Sequence, residues 1–106
     1  MNLESHKSFD QRCYELLLQI PKGKVTTYRE IAHALGIKAY RAVGQAMNRN
    51  PNLLEVPCHR VVKSNGEVGG YAGGSASKIE LLREEGVEVS ENGQINLSEF
   101  FHYFSD

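Results

Sequence analysis

Two short helices joined by a glycine-containing turn constrain the fold of this chain more than any other feature. Thr27-Tyr28-Arg29-Glu30 has the form of a capping box: the threonine can accept from the backbone three residues on, and the glutamate can reach back. Ile31, Ala34 and Leu35 follow at helical spacing, and Gly36 supplies a C-terminal stop. A tight link, Ile37-Lys38, leads into Ala39-Tyr40-Arg41-Ala42-Val43-Gly44-Gln45-Ala46-Met47-Asn48, which reads as a second helix terminated by Asn50-Pro51. This is the pattern of a helix-turn-helix, whose second helix ordinarily enters a nucleic-acid groove. Ala39, Ala42 and Ala46 would let that helix approach another surface closely. They would serve close packing against a neighbouring helix equally well.

The flanking segments fit around this unit. Ser8-Phe9-Asp10-Gln11 is another capping box, and Phe9, Cys13, Leu16, Leu17 and Ile20 recur at helical spacing, predicting an amphipathic helix over 9–19. Cys13 lies on its apolar stripe and is read as structural. Pro21 closes that helix, and Lys22-Gly23-Lys24 makes a basic turn. Val61-Val62-Lys63 and Glu67-Val68-Gly69, joined across Ser64-Asn65-Gly66, read as a hairpin with an Asn-Gly turn, which in a helix-turn-helix protein is a wing. Ser75 or Ser77 can cap a fourth helix bearing Ile79, Leu81 and Leu82 and ended by Gly86. Val87-Glu88-Val89, Asn92-Gly93 and Gln94-Ile95-Asn96-Leu97 suggest a second small hairpin. The aromatic tail, Phe100 to Phe104, could dock on the core or contact a partner. The expected fold is therefore mainly α with a small β wing: one winged helix-turn-helix domain over residues 1–106.

Length and composition narrow the function. A chain of 106 residues builds one core, and 41% hydrophobic with 24% charged residues fits a soluble globular protein. No apolar run approaches the roughly 18 residues of a membrane span, and the N-terminus lacks the apolar centre of a signal peptide. A cytoplasmic protein (nuclear in a eukaryote) with reduced thiols at Cys13 and Cys58 is expected, without a metal, since no CxxC or HExxH spacing occurs. The net charge of −1 conceals an asymmetry. Residues 1–63 hold ten basic side chains against five acidic, a balance of +5, and the remainder hold two against eight, or −6. Such polarity fits one surface meeting an anion, or mixed charge solvating helical faces.

Chemistry concentrates at Pro57-Cys58-His59-Arg60. A thiol between a rigid proline and an imidazole becomes a strong nucleophile once a base or a positive charge lowers its pKa. A small buried core residue is the other reading of Cys58. The loop Gly69-Gly70-Tyr71-Ala72-Gly73-Gly74 lacks the Gly-Lys-Ser/Thr ending of a phosphate-binding loop, so nucleotide binding is rejected. Its small residues would permit close backbone approach and admit a flat, bulky group beside Cys58.

Residues 9–86 resemble the C-terminal, DNA-binding domain of the O6-alkylguanine-DNA alkyltransferases. The resemblance rests on Gly23-Lys24-Val25-Thr26-Thr27-Tyr28, Arg41-Ala42-Val43-Gly44, Asn48-Arg49-Asn50-Pro51, Pro57-Cys58-His59-Arg60-Val61-Val62 and the glycine loop, in order and spacing. It implies direct, single-turnover repair: Cys58 takes the alkyl group from O6-alkylguanine in double-stranded DNA after base flipping. It implies His59 as base through a water, Glu85 orienting that imidazole, Tyr28 rotating the phosphate and donating to guanine, and Lys78 supporting the leaving group. Arg41 would fill the vacated stack, with Ala39, Gln45, Asn50 and Arg60 also on the DNA side and Asn50 bracing the turn around the cysteine. The Val61 carbonyl would read the guanine amino group, and Gly69, Tyr71, Ala72 and Gly73 would line the base pocket. No cofactor is implied, and the active species is expected as a monomer. Position 72 is alanine where serine is common, which leaves a backbone N–H to serve O6. Residues 1–8 are too few for the family's N-terminal domain, so its zinc site is not implied. The single-domain alkyltransferase-like proteins, which hold the lesion and flag it to an excision-repair protein, typically carry tryptophan where this chain has Cys58. A winged-helix transcription regulator would share the fold but leave Pro57–Arg60 and the glycine loop unexplained.

Overall fold

The computed structural model describes residues 7–53 and 55–104. Helix α1 spans Phe9–Leu17, and its expected capping box forms in both directions between Ser8 and Gln11. The helix stops short of the predicted residue 19, and the chain turns through Leu18–Ile20 by backbone bonds to Tyr14, Leu16 and Leu17. Strand β1 is Thr26–Thr27 and runs directly into helix α2, Tyr28–Ala34. The Thr27 hydroxyl accepts from the Glu30 N–H as predicted (3.0 Å). The Glu30 carboxylate, expected to reach back, instead meets the Phe104 N–H at 3.4 Å. Gly36, at φ +76°, ends α2 with Ile37 N–H donating to Ala32 C=O, the geometry that favours glycine there. Helix α3 is Tyr40–Asn48 and packs against both α1 and α2. The helix-turn-helix is thus present with the expected bounds.

The β structure departs from expectation. Val61–Val62 forms strand β2, but its partner is β1, in parallel register with Thr26 opposite Val61 and Thr27 opposite Val62. The turn at 63–67 closes as predicted, with Gly66 N–H to Lys63 C=O and Lys63 N–H to Glu67 C=O, both 2.9 Å. The second arm then leaves the first: Glu67 pairs with Gln94, antiparallel, and Val68 N–H and Ile95 N–H donate to Gly93 and Gly66. The turn at Asn92-Gly93 also closes, with Ser90 N–H to Gln94 C=O at 2.9 Å. Both turns were legible, but their outgoing arms pair with each other instead of folding back as two hairpins. The β-branched residues of β1 and β2 are buried on both faces, the environment of a parallel pair. A further correction concerns helix α4, Ser75–Glu84. Its N-cap is Gly74 at φ +97° with no side-chain bond, not Ser75 or Ser77, while Gly86 at φ +95° follows its C-terminus as expected. Leu97 opens a short helix α5, Leu97–Phe100, capped by Asn96, where a strand was expected.

Strand alternation divides the interior. Val61 faces a cluster built from α1, α2 and α3 that includes Cys13, Leu17, Ile31, Val43, Met47 and Cys58. Val62 faces the other cluster, with Val25, Val68, Leu82, Val87, Val89, Ile95 and Phe100. The tail docks on the core: Val25 N–H donates to Phe100 C=O (2.9 Å), His102 N–H to Val25 C=O (2.7 Å), and the Thr26 hydroxyl to His102 C=O (3.1 Å). Cys13 is fully buried in the first cluster, and burial pushes its thiol up to about 11, consistent with a structural role.

Candidate active site and nucleic-acid interface

Cys58, His59 and Arg60 occupy a single 3₁₀ turn that leads straight into β2. Successive side chains on such a turn diverge by about 120°. Cys58 therefore faces inward, where Asn50 and the Lys78 charge act on its thiol and where the thiol in turn acts on the Tyr28 and Tyr71 hydroxyls, while His59 looks the other way along a groove. Asn50 makes this turn: its Nδ2 donates to Val56 C=O and its Oδ1 accepts from Asn52 N–H, both at 2.9 Å. With the amide engaged at both ends and the residue buried, Asn50 braces the cysteine turn and is not presented to DNA.

Burial pushes the Cys58 thiol up, against the pull of Asn50 and the Lys78 charge, so it rests protonated near neutral pH. Attack then requires a base. His59 is 6% exposed, and burial holds its imidazole below its ordinary value against the pull of Glu85, leaving it neutral and able to accept a proton. Its Nε2 lies 3.1 Å from Glu85 Oε2 but off the N–H line, and neither ring nitrogen makes an aligned hydrogen bond. Burial works to raise the Glu85 carboxyl, but the two hydrogen bonds from Arg60 and the nearness of the His59 ring outweigh it and hold the group below its ordinary value. Arg60, expected on the DNA side, is turned inward. Its Nε and Nη2 grip both Glu85 oxygens at 2.9 and 2.7 Å, and its Nη1 donates to Ile20 C=O at 2.7 Å. This bidentate fork fixes the carboxylate that faces His59.

Lys78 has no exposed surface, and its ammonium donates to Val61 C=O (2.6 Å) and Gly70 C=O (3.0 Å). Burial lowers its pKa to about 8. It ties the glycine loop to β2 and places a positive charge near the thiol. The Val61 carbonyl, expected to read guanine, is already engaged by Lys78 with one lone pair. The glycines of the loop have separate reasons. Gly69 has φ +75° and sits under the Tyr28 hydroxyl, where a Cβ would lie 3.6 Å away. A Cβ on Gly73 would fall 2.8 Å from the Tyr71 ring, so a side chain there would have to displace that ring. Tyr71 also meets His59 edge-on, with ring centroids 6.4 Å apart. Ala72 is exposed and brings only its backbone.

Two grooves flank this centre and differ in sign. One, about 420 Å³, is lined by Tyr28, Arg29, Tyr40, Arg41, Gly44, Lys63, Ser64 and Asn65. It joins the second helix of the helix-turn-helix to the turn after β2. Arg41 is exposed there, and among the described residues no ion pair engages Arg29 or Arg41. Ala39 and Gln45 are exposed at the start and on the outer side of α3. Arg29, Tyr40 and Lys63 were not anticipated; the position of Lys63 in the predicted wing turn was the available signal. The other groove, about 710 Å³, runs from Leu53, Tyr71 and Gly73 past Pro57 and His59 to α4 and Leu18.

A helix-turn-helix presenting a basic groove beside a buried, base-flanked thiol defines a DNA-binding protein with a cysteine-centred site. The comparisons give that class a family. Residues 8–87 match the 6-O-methylguanine DNA methyltransferase DNA-binding domain, and the chain belongs to that family. A methylated-DNA–protein-cysteine methyltransferase of Saccharolobus islandicus is 45% identical over 91 residues, 86% of this chain and 58% of that protein. S. pombe Atl1, solved in complex with damaged DNA containing O6-carboxymethylguanine, superimposes with a TM-score of 0.81 at 34% identity, covering 98% of this chain and 100% of that one. Mycobacterium tuberculosis OGT in complex with DNA gives a TM-score of 0.72 at 45% identity, covering 74% and 50%. The chain thus spans little more than half the length of the methyltransferases it matches.

Proposed function

We propose that this protein removes the alkyl group from O6-alkylguanine in duplex DNA by transferring it irreversibly to Cys58. The carrying observation is the buried Cys58 thiol followed in the same turn by a buried His59, with Glu85, gripped by Arg60, 3.1 Å from that imidazole. The lesion is turned out of the stack because its O6 substituent lies on the pairing edge. Arg41 takes the vacated place, and the base enters between Tyr28 and the glycine loop. The thiol proton passes through a water to His59, and the imidazolium is stabilised by Glu85. The sulfur attacks the alkyl carbon, the C–O6 bond breaks, and guanine leaves with its developing charge met by the Tyr28 hydroxyl and the Ala72 N–H. Lys78 supports the thiolate by its charge and holds the loop in place. The product is a thioether that water does not cleave, so each molecule acts once.

Intact mass and peptide mapping after incubation with O6-methylguanine DNA test this reading. One methyl group on Cys58 and none on Cys13 is expected; an unmodified Cys58 under excess lesion refutes it. A second reading, lesion binding without transfer, is supported by the end-to-end likeness to S. pombe Atl1, which covers 98% of this chain. In that case tight binding to the lesion would accompany an unchanged mass, and the protein would serve an excision-repair partner.

A further inference from the structure

Tyr40 is oddly placed for a residue that serves only the fold. It opens α3 and stays 54% exposed, one of three large hydrophobic side chains left so open among the described residues. No other ring there packs on it, and no cation sits over its face. Basic grooves run on both sides of it. One is the groove that holds Arg41 and Lys63; the other, about 510 Å³, is lined by Arg29, Ala32, His33, Ile37 and Lys38. Tyr40 lines both and is the ridge between them. One turn along α3 lies Gly44, where a Cβ would meet nothing within 4 Å. Glycine inside a helix is less favourable than alanine, and no packing among the described residues demands it here. Residues four apart share a helix face, so the ring stands beside a floor that carries no side chain.

We propose that Tyr40 stacks on the orphaned base, the lesion's former partner in the opposite strand, and that the bare floor at Gly44 gives that base room to lie against the ring. The inference rests on the extrusion step of the reading above and adds a positioning residue to it. Cations on both sides of the ridge suit a phosphate backbone on each side, which puts bases over the ridge itself. Arg41, the next residue, points about 100° further round the helix and takes the place vacated in the lesion strand. The ring beside it is left to face the opposite strand. A base without its pairing partner is no longer held in plane, and an aromatic ring that meets its freed face stacks on it whatever its identity. Holding that base lowers the cost of keeping the lesion out of the stack, without reading the sequence.

The test uses the full chain and three duplexes of one sequence, with O6-methylguanine opposite cytosine, opposite thymine or opposite an abasic site. Single-turnover transfer rates are measured with the native protein, Tyr40→Phe and Tyr40→Ala. Equilibrium affinities are measured with the same substitutions in a Cys58→Ala background. Opposite cytosine or thymine, Tyr40→Ala should lose about tenfold in rate and in affinity, within the roughly five- to 150-fold that stacking on an aromatic ring contributes per base. Tyr40→Phe keeps the ring and should match the native protein. Opposite the abasic site there is no base to hold, so the ratio of native protein to Tyr40→Ala should fall to about one. A loss of the same size opposite the abasic site, or one that Tyr40→Phe shares, places the side chain on the sugar-phosphate backbone or in the fold and overturns the stack. An undiminished Tyr40→Ala overturns it too. Absent transfer from every duplex, with the affinity pattern intact, overturns the transfer reading and upholds the stack.

Discussion

At the residue scale the proposed transfer assigns two side chains to the thiol: His59 takes its proton through a water, and Lys78 acts by its charge. Since burial depresses the His59 pKa, the neutral base persists down to pH values below its ordinary 6.5. The rate on free O6-benzylguanine should therefore rise with pH through a midpoint below 6.5. Glu85→Gln removes the group that pulls the imidazole up, so the midpoint should fall further, with a plateau lowered about tenfold or more. His59→Ala should cost about 10²–10⁴ in rate and abolish the inflection; a retained inflection assigns it to another group. Lys78 makes a separate statement about stability. Its folded pKa is about 8 against the ordinary 10.5, so the unfolded chain binds that proton more tightly. Between about pH 8 and 10.5, folding should gain stability as pH rises, and below pH 8 the contribution is flat. Urea unfolding of the native protein and Lys78→Met across this window checks it: the native protein should gain on the variant with rising pH. A constant difference would mean the ammonium is not desolvated as its two carbonyl contacts imply.

At the element scale, α3 and the tail separate extrusion from folding. Arg41 stands exposed on α3 with no ion pair, so Arg41→Ala should leave unfolding unchanged while slowing transfer from duplex DNA by about tenfold to a hundredfold. Attack on the free base should be untouched, and equal damage to both substrates would remove Arg41 from the extrusion step. Truncation after Phe100 removes two hydrogen bonds to Val25 and Thr26 and the packing of Phe104, and should cost about 2–4 kcal/mol in urea unfolding. These elements also mark what a reader of the chain can foresee. The helix-turn-helix and both tight turns were legible, because caps and positive-φ glycines are local signals. The pairing of β2 with β1 was not: Thr26-Thr27 is too short to announce a strand, and its partner lies 35 positions away. The same holds within the site. The Cys58–His59 motif was readable, but the inward turn of Arg60 depends on where α4 brings Glu85, and a lone arginine reads equally as a phosphate contact.

Across the whole molecule, the opposed balances of the two halves of the chain become two faces. Of the ten cations in residues 1–63, Arg60 is held by Glu85, Arg49 by Asp10, and Lys24 by the Glu99 carbonyl, so the excess does not spread evenly. Arg29, Arg41 and Lys63 gather in the groove beside α3, and Lys38 joins Arg29 at the adjoining surface. The glutamates of α4 lie along the other groove. This opposition of charge favours DNA on one face over the other, and in the proposed reaction it orients the lesion toward Tyr28 before any base is read. If four phosphates are neutralised, the logarithm of affinity should fall with the logarithm of salt with a slope of about −3 to −4. Lys63 is the informative substitution, because its 3.5 Å pair with Glu67 competes with a phosphate for the same ammonium. Lys63→Ala should weaken binding to all sequences alike and reduce the slope by about 1. Glu67→Gln should strengthen binding at low salt by releasing Lys63. Titrations of lesion-free and lesion-bearing duplexes at several salt concentrations distinguish the outcomes: an unaltered slope in Lys63→Ala would place the DNA path away from the turn after β2.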